Sequence, residues 1–276
     1  MKQLSCEVSF RVAEHLRQAK NKGHDVFYIA LYGSQNYELD TELSDVDTKA
    51  MIVPSLEDVL LGKKMVSYDL EVNEELCNVK DFRLMLQNFK KGNINFVETL
   101  YSRYYFFGDG YADKVRYLRT HRELFGSQNP LRLMEMASGM AKQKYVAFCK
   151  PFESKKAILE KYGYDPKQLH HLVRLYYFMR TYMSNGESFG DSLVPTQDQK
   201  NYLLGLKESP LPFEAADKLR EEYMTRVDCL RDQAKEKYST PDWQTKIKSR
   251  GEEVDSFIKN LTLSLLYDKI DREVRE

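Results

Sequence analysis

The apolar residues of this chain change their spacing once along its length. Up to about residue 101 short dense runs and alternations stand between helical stretches. From about Leu131 to the end the apolar residues recur only at helical intervals. That single switch predicts an α+β half followed by an all-helical half, because strands repeat every two residues and helices every 3.6. The first element is a helix, with Leu4, Val8, Val12 and Leu16 as its stripe and Asn21, Gly23 and His24 as its stop. "DVFYIALYG" is β-branched, aromatic and short, and reads as a buried strand closed by Gly33. "DTKAMIVP" reads as a second strand, ended by Pro54. Ser55 then caps the short helix "LEDVLLG", with Asp58 three residues on. "MVSYDLEVN" and "ELCNV" add two more strands. Lys80 to Lys91 and about Asn95 to Tyr101 are helical. The expected organisation is a domain over 1–128, a small mixed sheet with flanking helices, and an all-helical domain over 129–276. No Gly-, Ser- or Pro-rich linker separates them, so the two are expected to pack on each other.

Several function classes are excluded at this level. The 276 residues are 42% hydrophobic and 30% charged, too apolar for a disordered chain. Lys plus Arg equals Asp plus Glu, 42 each, so no global field draws in nucleic acid; a local basic patch stays open. Cys6, Cys77, Cys149 and Cys229 form no CxxC or CxH pair, which argues against a zinc site and a secreted disulfide framework. They read as reduced thiols of a cytoplasmic protein. No apolar leader and no stretch of about 18 apolar residues is present, so neither secretion nor a membrane partner is expected.

The chemistry concentrates in "LYGSQNYELDTELSDVDTKAMIVPS", Leu31 to Ser55. On a strand, Asp45 and Asp47 share one face, with their carboxylates about 6 to 7 Å apart. Two such charges repel unless a hard divalent cation lies between them. Magnesium, or manganese in its place, keeps several waters and completes its shell with substrate phosphates. Gly33-Ser34 follows a buried strand and opens a short segment that can be helical. A glycine lets a phosphate approach the backbone, and free N–H groups with the Ser hydroxyl can hold its oxygens. An EF-hand is rejected, because loop positions 6 and 12 lack Gly and Glu. No Walker A motif is present. A bare DxD is usually a solvated turn; the order strand, Gly-Ser, DxD, strand is far more restrictive.

With those residues in view, "GSQNYELDTELSDVDTKAMIVPS" resembles the signature of the polymerase-β-type nucleotidyltransferase superfamily. It is closest to the stand-alone bacterial and phage branch with RNA-repair-associated members. "VKDFRLMLQNFKKGNINFVETLYS" and "KYGYDPKQLHHLVRL" are similar to two further elements of that branch, so the resemblance spans about residues 28 to 175. Two positions depart from it: Glu38 stands where the family often has Gly, and Ile94 follows Asn93 where it has Pro.

The resemblance implies two-metal transfer of a nucleoside monophosphate from a nucleoside triphosphate, ATP among them, to an acceptor hydroxyl, with release of pyrophosphate. The acceptor would be an RNA (tRNA) or DNA end, a small molecule, or a protein side chain. Gly33 and Ser34 would hold the β- and γ-phosphates, and Asp45 and Asp47 both metal ions. For the superfamily's third carboxylate the candidates are Asp69, Glu71, Glu74, Glu75 and Asp81. The branch pattern favours Glu75, while Asp81 reads better as a helix cap. Lys142, Lys144, Lys167, His171 and Arg174 are candidate triphosphate or substrate contacts. Lys167, His171 and Arg174 are spaced to share one helical face, although a structural helix would look the same. The rival reading is a degenerate, non-catalytic module that binds nucleotides or, antitoxin-like, a partner protein. Loss of an acid or of Gly-Ser would mark it.

Overall fold

The computed structural model describes residues 6–41 and 44–275. It divides into two compact units. The first holds the chain up to Asn36, Asp40–Gln128 and the chain from Ser249 on. The second holds Tyr37–Leu39 and Asn129–Lys248.

The first unit is built on a five-stranded mixed sheet in the order β3-β4-β2-β1-β5. Helix α1 (Cys6–Asn21) leads into β1 (Asp25–Leu31), which is buried from Val26 on. A 3₁₀ turn at Ser34–Tyr37 follows, and then β2 (Thr48–Val53), antiparallel to β1. The Ser55 hydroxyl accepts the Asp58 N–H at 3.1 Å and caps α2 (Leu56–Leu60), as expected. β3 (Ser67–Val72) and β4 (Glu75–Asp81) form a hairpin. Asn73 and Glu74 both have positive φ, which gives a two-residue turn matched to strand twist. β4 runs parallel to β2, and Asp81 caps α3 (Phe82–Lys90) by accepting the Arg83 N–H at 2.9 Å. Then come α4 (Ile94–Val97), a 3₁₀ turn at Glu98–Tyr101, β5 (Tyr105–Phe107), α5 (Ala112–Thr120) and α6 (Arg122–Ser127).

Sheet parity decides what lies on which face. Ile29, Ala50, Cys77 and Val79 pack with Leu16 and Ala19 of α1, and Leu31 and Val46 pack with Val8 and Val12. The α1 stripe therefore covers one face of the sheet; Leu4 lies outside the described residues. Tyr28, Met51 and Lys49 alternate onto the other face, where Tyr28 Oη donates to the Thr99 carbonyl at 2.6 Å. Burying a residue such as Ile29 or Val79 removes it from water at a gain of about 2 kcal/mol. That gain makes a one-residue register slip prohibitive, and it fixes the parity of the polar face as well.

The second unit is helical throughout its described residues: α7 (Pro130–Ala147), α8 (Lys156–Tyr162), α9 (Pro166–Ser184), α10 (Phe189–Leu193), α11 (Gln197–Glu208) and α12 (Phe213–Tyr238). α9 is its centre and packs on α7, α10, α11 and α12. The 35-residue helix α13 (Pro241–Arg275) ends the chain. Here the structure departs from the expected division at 128/129, because Ser249 onward belongs with the first unit. Val254, Phe257, Leu261 and Leu265 form the buried stripe, and Phe257 stacks on Tyr117 at 4.9 Å between ring centres. Helical spacing predicts such a stripe but not the surface it covers. No helix among the described residues is long and apolar enough to cross a membrane, and all four cysteines are free thiols.

Candidate metal and phosphate site

β2 begins at Thr48, so Asp45 and Asp47 precede the strand instead of lying on it. The pairing nonetheless runs on: Tyr32 N–H donates to the Asp47 carbonyl at 3.1 Å. Asp45 is exposed, Val46 buried and Asp47 half-buried, so the alternation also continues. The Asp47 carboxylate acts on Lys49 and so lies on that residue's face of the sheet, away from α1. Asp47 Oδ1 accepts the Leu76 N–H at 3.1 Å.

The residue after Tyr32 is Gly33, at φ +97°. A β-carbon there would meet no atom within 4 Å, so only backbone strain bars a side chain. Gly33→Ala is expected to cost about 1 to 2 kcal/mol, read as a shifted denaturation midpoint. The half-buried Ser34 opens the 3₁₀ turn, which is closed by Asn36 N–H to the Gly33 carbonyl at 3.0 Å. Asn36 Nδ2 donates back to the Leu31 carbonyl at 3.0 Å and ties the turn to β1. The Gly-Ser turn and Asp47 are thus neighbours through one backbone hydrogen bond. At the family's glycine position, Glu38 has φ +57°. This left-handed position carries a side chain, and the Glu38 carboxylate pairs with Lys200 of the helical unit to which both belong.

Glu75 does not join the aspartates. It is buried on the α1 face, in line with Cys77 and Val79. Oε1 accepts the Val46 N–H at 2.8 Å and also pairs with Arg11 Nη2; Oε2 accepts Arg11 Nε at 3.1 Å. His15 Nε2 lies 3.4 Å away, while its Nδ1 is 2.8 Å from the Thr48 hydroxyl. Burial, reinforced by Arg11, brings the His15 imidazole down to about 4. The structure thus sets Glu75 apart from the aspartates it was expected to join as a metal ligand. Strand parity turns its carboxylate to the opposite side of the sheet. Of the other acids, Glu74 sits in the hairpin turn, Asp81 caps α3, and Asp69 and Glu71 share the Asp47 face but stand on β3, two strands from β2. Among the described residues no group of three or more His, Cys, Asp and Glu side chains is placed to hold a metal ion.

Sequence reasoning missed two basic groups on that face: Lys80 of β4, 5.8 Å from the Phe96 ring centre, and Lys49. Lys49 is buried, with Nζ 2.9 Å from the Tyr32 ring centre and 5.3 Å from that of Phe96. Burial pulls the ammonium down to about 7, against the attraction of Asp47. The available signal was parity: Lys49 is two residues past Asp47. Opposite it on β4, Asn78 Nδ2 donates to Asp69 at 2.6 Å, and its Oδ1 is buried without a partner. Gln35 Oε1, beside Ser34, is buried without a partner as well. Two carboxylates would supply only part of the shell of one hard cation, which would take further oxygens from a substrate. They do not make a protein cage for two.

In the helical unit α9 carries Lys167, His171 and Arg174. Lys167 is exposed, and the Arg174 guanidinium is buried 4.3 Å from the Tyr37 ring centre. Burial first, then Arg174, holds His171 well below its ordinary value. Burial, Arg174 and Lys167 likewise lower Lys144 of α7. Four basic groups are thus gathered and repel one another, while Lys142 is exposed. Leu172, Leu175 and Phe178 are core, as expected. The neighbouring His170 is buried, its Nδ1 lies 2.9 Å from the Leu203 carbonyl oxygen, and burial takes it to about 4. Since the folded imidazole lies below its unfolded value near 6.5, the unfolded state binds more protons between the two. Stability is full above about pH 6.5 and falls toward pH 4, by on the order of 3 kcal/mol from His170. Denaturation midpoints from about pH 7 to about pH 4.5 check this, and His170→Asn should flatten the slope.

No protein-family model matches the chain, and no curated protein matches it. Among solved structures, a nucleotidyltransferase-like protein from Exiguobacterium sibiricum 255-15 is similar over 82% of this chain and 74% of its own, with 9% identity and a TM-score of 0.30. At that score the likeness bears on neither the fold nor the chemistry.

Proposed function

We propose that the first unit is a magnesium-dependent nucleotidyltransferase that moves a nucleoside monophosphate from a nucleoside triphosphate to an acceptor hydroxyl, an RNA or DNA end. The observation that carries this reading is the junction of the Gly33-Ser34 turn with Asp47 through Tyr32 N–H and the Asp47 carbonyl. It sets the Gly33-Ser34 turn beside Asp47, which supports the arrangement that the motif resemblance implies. Asp45 and Asp47 would hold the cation, which when bound neutralises triphosphate charge and favours departure of pyrophosphate. The chain's part is positioning. Ser34 and the turn N–H groups orient the phosphates, and the Leu76 N–H fixes the Asp47 carboxylate. The acceptor oxygen bonds to the α-phosphorus as the bond to pyrophosphate breaks. Within the helical unit, Lys144, Lys167, His171 and Arg174 would contact a phosphate group of the triphosphate or substrate.

A second reading, a nucleotide-binding module without catalysis, gains support from the turned Glu75 and from the lack, among the described residues, of a third acid grouped with the pair. The test is transfer of label from each α-labelled triphosphate to RNA, DNA and small-molecule acceptors, with and without magnesium. Magnesium-dependent label on any acceptor supports the enzyme. Triphosphate binding without transfer supports the binding module.

A further inference from the structure

A second polar site lies at the β5 edge of the same sheet. Tyr105 pairs with Ala30, and Ala30 with Lys49. Opposite residues of a ladder share a face, so Tyr105 is on the face of Lys49 and Asp47, two strands or about 10 Å from β2. Around it Arg116, Arg119, Thr120 and Arg122 line a cavity of about 410 Å³. The Arg119 guanidinium lies 3.7 Å from the Tyr105 ring centre and donates to Tyr28 Oη and the Ser102 carbonyl, each at 2.9 Å. Arg122 lies 4.5 Å from the Tyr101 ring centre. Arg116 meets Asp113, an exposed neighbour on the same helix, at 3.0 Å. Among the described residues no carboxylate pairs with Arg119 or Arg122.

Three guanidinium groups in one cavity repel, and neutral rings and carbonyls hold two of them in place. Their complement is an anion, and the planar fork of arginine suits phosphate oxygens. Phe107, two residues past Tyr105 and on the same face, is 41% exposed. A free aromatic face beside a phosphate site suits a stacked base better than a lone inorganic anion.

We propose that the Arg116–Arg119–Arg122 pocket binds a phosphodiester of a single-stranded nucleic acid, with Phe107 stacking a neighbouring base. It thereby holds the acceptor strand for the Asp45–Asp47 site; this last clause alone rests on the nucleotidyl-transfer reading. The test is anisotropy of a short 5′-fluorescein-labelled single-stranded RNA, and of the matching DNA, across a salt series. Arg116→Ala with Arg122→Ala should weaken binding about tenfold or more and flatten the salt slope by about 0.7 for each phosphate no longer neutralised. The double Lys variant should keep most of the slope. Phe107→Ala should weaken binding without changing the slope. Unchanged affinity and slope in a folded double-Ala variant would overturn the proposal. So would a wild-type chain that binds inorganic phosphate or ATP here but no strand. Strand binding through these arginines without any transfer supports the pocket and counts against the enzyme reading alone.

Discussion

Asp47→Asn is expected to lower magnesium-dependent transfer from an α-labelled triphosphate by on the order of a thousandfold, the scale on which single charged groups act in phosphoryl transfer. Its fold should survive. Asp47 Oδ1 accepts the exposed Leu76 N–H, and the asparagine oxygen can accept the same bond. The charge removed is half-buried and enters no ion pair among the described residues, so little stability depends on it. Asp45→Asn should behave alike, since Asp45 is exposed. Two measurements separate the effects. Gel or thin-layer assay of labelled acceptor reports transfer, and manganese titration followed by paramagnetic resonance reports the cation site. Abolished transfer with weakened manganese binding and an unchanged melt is the expected pattern. Transfer at wild-type rate in either variant would remove the carboxylate pair from the chemistry.

Much of the fold around this pair is legible in the sequence, for a physical reason. Val26 to Leu31 is dense in residues that pack on both faces of a sheet, so β1 is recognisable in isolation. The caps Ser55 and Asp81 satisfy helix-start N–H groups locally, and need no tertiary context. β5 is not legible, because three residues pair at an edge through backbone groups that carry no sequence signature. The side covered by α13 is not legible either, since Val254, Phe257, Leu261 and Leu265 would fit any apolar groove. The placement of Glu75 is different. Glu75, Cys77 and Val79 alternate, and two of the three are apolar, so parity already points Glu75 toward the core. The motif resemblance pointed the other way, and parity prevailed. The same parity places Lys49 on the Asp47 face.

Glu75→Gln and Glu75→Ala are expected to separate a metal ligand from a positioning residue. Both of Glu75's carboxylate oxygens are committed on the α1 side, to the Val46 N–H and to Arg11. Val46 lies between the two aspartates, so the carboxylate fixes the backbone that aims them. Alanine removes the ion pair and the acceptor together, leaving a buried N–H unpaired, at a cost of about 3 kcal/mol. Arg11 is a third exposed and can turn toward water or Glu7, which keeps the loss from being larger. Glutamine loses the charge but can still accept from Val46, so it should cost less and retain most of its transfer rate at saturating magnesium. A metal ligand would give the opposite pattern: glutamine would abolish transfer as Asp47→Asn does, with stability intact. The deciding comparison is therefore kcat against magnesium concentration for Glu75→Gln, set beside its denaturation midpoint. A thousandfold loss of kcat in a variant as stable as wild type would return Glu75 to the metal site. A modest loss of both rate and stability would assign it to the support beneath the aspartates.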